Sequence, residues 1–211
     1  MVRRHRLLLC GPLAAVQMIG VSLADGATRP GYDLARNWVS QLALGERGWL
    51  GALNLALCGG WLVLFAAGLA AHGPATRQAA RLVAVCGLGF GLIAAVPIDA
   101  GLGFPPGAPA THTVAGRVHQ IGAVAVFAGG TLAAVVVGRA IGRYRTGVAV
   151  AAAMMVSFVA AAVLVTLDEA GVTVGAPSGL LERVALYGGL GWLGFAGLVV
   201  FRRENRALQR Q

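Results

Sequence analysis

Three residue types in this chain could together perform nucleophilic chemistry: the hydroxyl of Ser40, the imidazole of His119 and the carboxylate of Asp99. A serine activated by a histidine that a carboxylate orients is the minimal acyl-transfer machinery. The same imidazole grouped with carboxylates could instead hold a metal ion and activate water against a lipid ester or amide. A polar set accompanies them: Asp33, Arg36, His112, Arg117, Glu182 and Arg183. His112 and His119 are seven apart and would share a face of one continuous helix, two turns apart. No GxSxG elbow, no HExxH and no histidine at i+4 accompanies these residues, so Ser40, Asp99 and His119 form a catalytic expectation without a diagnostic motif. The metal and any other cofactor stay open.

The elements that must position these residues follow from composition. Of 211 residues 57% are hydrophobic and 12% charged, and the mean hydropathy is +0.75. A soluble domain of this size cannot hide so much apolar surface. Six apolar runs, at about residues 7–24, 50–71, 79–98, 119–138, 146–167 and 184–201, uncharged but for Arg81 at the edge of the third, approach the roughly 20 residues that cross a hydrocarbon core. None carries the repeating polar stripe of a soluble bundle, and none alternates as a barrel strand would. The expected fold is an all-α integral membrane protein, residues 1–211 forming a single domain of six transmembrane helices. The three cysteines, Cys10, Cys58 and Cys86, fall inside the runs and read as buried thiols.

Arginine supplies all 17 basic charges. In alternate connections, Arg3, Arg4, Arg6, Arg77, Arg81, Arg139, Arg143, Arg145, Arg202, Arg203, Arg206 and Arg210 fall on one side. Arg29, Arg36, Arg47, Arg117 and Arg183 fall on the other. Twelve against five places both termini in the cytoplasm of a cell with an inner membrane, and the net charge of +9 reads as topology and contact with anionic lipid. Nucleic acid is not an expected partner, because the arginines are dispersed over short loops. The basic start followed by Ser22-Leu23-Ala24 also resembles a signal peptide; a run of 18 apolar residues exceeds the usual core of about 7–15, so retention is expected.

The connections that topology places outside hold seven of the eight acidic residues. In the first, Pro30-Gly31 makes a turn and Asp33 can cap a short helix ending at Gly45. Leu34, Trp38 and Leu42 would share its apolar face, and Asp33, Arg36 or Asn37, and Ser40 its polar one, giving an interfacial helix with Trp38 and Trp49 at headgroup depth. Three outgoing helices end in aspartate, at Asp25, Asp99 and Asp168. A carboxylate at a helix C-terminus opposes the macrodipole, so each is expected to find an arginine, a histidine or a cation. Asp99, His119, Glu182 and Arg183 are expected to clamp helix ends together, a carboxylate lying within about 4 Å of Arg183, Arg117 or His119. Gly87 and Gly91, and Gly188, Gly191, Gly194 and Gly197, are positions for close helix approach.

Four stretches resemble the multi-pass bacterial membrane proteins of family 998 of the domains of unknown function. They are Val39-Ser40-Gln41-Leu42-Ala43-Leu44-Gly45 with Gly48-Trp49 and Asn54, then Pro97-Ile98-Asp99, Gly116-Arg117-Val118-His119, and Gly179-Leu180-Leu181-Glu182-Arg183. The resemblance covers nearly the whole chain in order and implies a fold and a membrane location, with no reaction attached. The family often has an acid where Gln41 stands, and the loop from Gly101 to Ala110 is richer here in glycine and proline.

These readings leave three functions: a structural, partner-binding or lipid-binding membrane protein; a hydrolase acting on lipid-linked substrates from the outer face; and a small-molecule transporter. The interiors of the runs offer Gln17, Asn54, Ser157 and Thr166 but no charge, which weighs against ion-coupled transport. Membrane lipids are the expected partners, with another membrane protein or a second copy of the chain beside them.

Overall fold

The structure, a computed structural model, describes residues 5–209; Arg3, Arg4 and Arg210 of the arginine count lie outside the described residues. Six helices follow in order: α1 (Cys10–Thr28), entered through a 3-10 turn at Leu7–Leu9, then α2 (Gly48–Ala70), α3 (Pro74–Ala95), α4 (Val114–Ala140), α5 (Tyr144–Glu169) and α6 (Ser178–Leu208). All six are long and apolar enough to cross a membrane. The last outruns its apolar run at both ends, because Glu182, Arg183 and the terminal arginines interrupt hydropathy without interrupting helix formation.

Helix ends have local causes. Pro74 opens α3 directly after Gly73, whose φ of 107° suits glycine. Val96 closes α3 in an extended conformation, as the residue before a proline must. Each helix packs on its chain neighbours, α1 closes the ring against α6, and α4 touches α6 across the bundle. Lipid supplies no hydrophobic drive between helices, so close approach at small residues matters. A Cβ on Gly59 would stand 2.6 Å from the Gly87 carbonyl oxygen, so α2 and α3 touch backbone to backbone there. Gly194 and Gly197 meet α1 and its entry turn in the same way, and the Gly91 backbone nitrogen lies 3.1 Å from a Cβ placed on Gly59, whereas a Cβ on Gly188 or Gly191 would meet nothing within 4 Å.

Phe65, Phe90, Leu62 and Met18 fill the centre, and large apolar side chains also cover the outside. Val16, Leu88, Ile121 and Val156 are each 67–72% exposed, which water would penalise and a hydrocarbon surround would not. Cys58 and Cys86 are buried free thiols, and Cys10 is half-buried.

The connections at residues 29–47, 96–113 and 170–177 gather at one end of the bundle, where the first differs from the expected interfacial helix. Arg36 and Asn37 amides turn back onto the Asp33 carbonyl, Trp38 is extended, and only Val39–Ala43 coils, as a 3-10 turn. Val39, Ser40, Gln41 and Leu42 are all buried, and so is Trp38 at 8% exposure. The segment is a plug in the loop-rich end, while Trp49, 66% exposed, keeps an outward position.

Candidate binding site at the loop-rich end

The plug is held by every element around it. Ion pairs join its flanks to helix ends: Arg29 and Arg47 both bond Asp25, and Arg36 makes a two-pronged pair with Asp168, Nε to Oδ2 at 3.0 Å and Nη2 to Oδ1 at 2.6 Å. Two of the three terminal aspartates thus find the arginines that the macrodipole argument requires. Asn37 Nδ2 donates to the Leu102 carbonyl at 3.2 Å, and Gln41 Nε2 donates to the Gly101 carbonyl at 2.7 Å. Gln41 Oε1 accepts from the Trp38 amide at 3.0 Å. A carboxylate at position 41 could accept but not donate, so the glutamine here uses both halves of its amide.

The start of α6 docks on the same segment. The orphan amides of its first turn, Gly179 and Leu180, donate to the carbonyls of Arg36 (3.2 Å) and Ala35 (2.8 Å). Arg183 Nη1 donates to the Asn37 carbonyl at 2.7 Å, and Nη2 donates to the Tyr32 hydroxyl at 2.6 Å. Tyr32 passes its own proton to the Trp38 carbonyl at 2.8 Å, and burial holds its pKa above the usual phenol value. Glu182 Oε2 accepts from the Val39 amide at 2.7 Å. The clamp expected from the sequence therefore has other partners: among the described residues no carboxylate lies within 4 Å of a basic atom of Arg183, Arg117 or His119. Tyr32 and the backbone carbonyls that Arg183 uses carry no signal in a motif search.

His119 sits one turn inside α4 and is 1% exposed. Its Nδ1 donates to the Val96 carbonyl at 2.7 Å, an acceptor left free because α3 stops before Pro97. That bond fixes the neutral tautomer with the lone pair on Nε2. Nε2 is buried and has no hydrogen-bond partner among the described residues, and the same holds for the Trp38 indole nitrogen. His112 precedes the helix, which starts at Val114 behind a Thr113 cap, so the two histidines do not share a helix face.

Asp99 is placed apart from His119. Its Oδ1 accepts from the Thr113 hydroxyl at 2.7 Å and the Thr111 hydroxyl at 3.3 Å, and its Oδ2 accepts from the Thr113 amide at 2.9 Å. Burial acts to raise its pKa, but the Thr113 and Thr111 hydrogen bonds and the nearby His112 outweigh it and leave the carboxyl below its ordinary value. Gly116 leaves room beneath it, since a Cβ there would overlap the Asp99 carboxylate and displace it.

Two chambers share lining around these groups, and an apolar groove lies farther along α4. An outer chamber of about 220 Å³ is lined by Asp99, His112, Arg117, Gln120 and Glu169, with Trp38 and Gln41 as its floor. An inner chamber of about 20 Å³ shares Trp38, Ile98 and Gln120 with it and is bordered by Ser40, His119 and Glu182. Between α4 and α5 an apolar groove of about 230 Å³ is lined by Val124, Phe127, Ala128, Met155, Phe158 and Val159. Gln120, Val124 and Ala128 step by four along α4, so the groove continues the face that lines the outer chamber. The structure thus brings Ser40, His119 and Glu182 to one chamber and Asp99, His112 and Arg117 to the next. Arg183 and Arg36 are structural ties, and Asp33 is exposed and bonds the Ala35 amide at 2.8 Å. Among the described residues no group of three His, Cys, Asp or Glu could hold a metal ion.

Six apolar helices with a polar, cavity-bearing end define a multi-pass helical membrane protein in contact with lipid. The chain belongs to the family described as protein of unknown function, DUF998, whose family model matches residues 12–199. No curated protein and no solved structure matches the chain.

Proposed function

We propose that this protein binds a zwitterionic amphiphile at its loop-rich end, with the headgroup in the outer chamber and an acyl chain in the groove between α4 and α5. One observation carries the reading: a charged chamber and an apolar groove lie along one face of α4, the arrangement that the head and tail of an amphiphile would need. The twelve-to-five arginine split supports an outward orientation for that end, and the ligand proposed is then one of the outer leaflet of an inner membrane.

The chamber's charges favour an ammonium together with a phosphate. Asp99 is satisfied by neutral donors, and Glu169 stands 3.5 Å from where a Gly101 Cβ would be; neither meets a basic group within 4 Å among the described residues. Arg117 is exposed and likewise has no ion pair there. Two carboxylates beside one guanidinium complement a head carrying both signs.

The test is photocrosslinking of the protein in vesicles, using phosphatidylethanolamine with a diazirine on its acyl chain. Label should concentrate in peptides spanning residues 120–131 and 155–169, and Glu169→Gln or Arg117→Gln should lower it several-fold. Label spread evenly over all six helices would sink the proposal. Ester cleavage is a second reading, favoured by the shared chamber of Ser40 and the His119 Nε2 lone pair. The same vesicles would release fatty acid with the wild type and not with Ser40→Ala or His119→Ala; no release by the wild type removes it.

A further inference from the structure

The inner chamber is a polar point in an apolar wall. It is bordered by Trp38, 8% exposed, and His119, 1% exposed. The indole N–H is a donor only, and His119 Nε2 is held as an acceptor by the Nδ1 bond to Val96. Neither atom has a partner among the described residues. A buried polar atom without a partner is costly, and here the residues that carry one such donor and one such acceptor border the same space. That space, about 20 Å³, exceeds the roughly 10–15 Å³ that admits one water-sized group.

We infer that this chamber recognises a hydroxyl on the amphiphile, and that the ligand is a single-chain lysophospholipid with an ammonium headgroup. A hydroxyl is the smallest group that satisfies both orphans at once: its oxygen accepts from Trp38 Nε1 and its proton goes to His119 Nε2. The chamber branches from the outer one at Trp38, Ile98 and Gln120, between the head and the start of the groove. In a lysophospholipid the free hydroxyl of the glycerol sits between head and tail, where a diacyl lipid carries a second ester and no donor. The inference rests on the amphiphile-binding reading and specifies its ligand.

The experiment measures binding of lysophosphatidylethanolamine, its analogue lacking the glycerol hydroxyl, and diacyl phosphatidylethanolamine to the detergent-purified full chain by native mass spectrometry. The wild type should prefer the hydroxyl-bearing lipid at least about tenfold over the deoxy analogue, a threshold well below the discrimination that a site built to hydrogen-bond a hydroxyl reaches. His119→Asn keeps a donor near Nδ1 for Val96 and removes Nε2, so its preference should fall towards one. Trp38→Phe should do the same from the donor side. The wild-type comparison needs no variant to fold. Equal binding of hydroxyl and deoxy lipids would overturn the inference, with water as the chamber's sole occupant, while leaving amphiphile binding standing. Failure of every amphiphile to bind would overturn both.

Discussion

Replacing Gly179 with alanine tests how the loop-rich end is held. A Cβ at that position would stand 2.3 Å from the Asn37 carbonyl oxygen, 2.8 Å from its carbon and 2.9 Å from Arg183 Nη1. Two of these are backbone atoms that cannot swing aside, so the first turn of α6 must lift from the plug. Lifting breaks the amide bonds from Gly179 to Arg36 and from Leu180 to Ala35, and the charged bond from Arg183 to Asn37. At about 0.5–1.5 kcal/mol for each neutral bond and about 1.5–3 for the charged one, the loss is about 2.5–6 kcal/mol. Alanine returns at most about 1 kcal/mol in helix propensity. Gly188→Ala on the same helix is the control, since nothing lies within 4 Å of its added Cβ and only the propensity gain applies. Thermal unfolding in detergent should therefore move in opposite directions, down for Gly179→Ala and level or slightly up for Gly188→Ala. Equal midpoints would refute the docking argument, because the two substitutions differ only in what the methyl meets.

Two further outcomes can be checked directly. Folding lowers the Asp99 pKa, so its stabilisation is present above the unfolded value of about 3.9 and is lost as pH falls through the lower folded value; Asp99→Asn should be less stable than the wild type at pH 6, with the gap closing below about pH 3.9 in pH-series thermal melts. An alkaline phosphatase fused after the C-terminus should be silent and one inserted within residues 101–110 active; activity at the C-terminus would overturn the orientation.

The six helices were legible because a membrane span is written as composition over some 20 residues, a signal that no single substitution erases. The site was legible by depth: each of the four stretches that marked it holds a residue of the loop-rich end. Contacts were a different matter. His119 is oriented by the carbonyl of Val96, and Arg183 is bound by those of Asn37 and Gly179, yet a backbone acceptor is present at every position and so marks none. The expected helix from Asp33 to Gly45 failed because helical periodicity counts which faces could be apolar. It does not register that Asn37 and Gln41 each have a tertiary carbonyl to reach, a side-chain choice that favours the irregular plug over a helix.

The charged groups at this end fall into two sets. Asp25 and Asp168, with side chains 1% and 4% exposed, are closed by arginines from the first connection. Glu182 and Arg183 are buried and bond the backbone of the plug. Every one of these groups ties the plug to a helix and none borders the outer chamber except through the plug's own Trp38 and Gln41. Asp99, Arg117 and Glu169, by contrast, line the chamber and meet no opposite charge within 4 Å among the described residues. Asp99 is pinned by threonines, which fix its position without an ion pair. An end held rigid by the first set and left without ion pairs in the second is the arrangement that the proposed binding of a ligand carrying both signs requires.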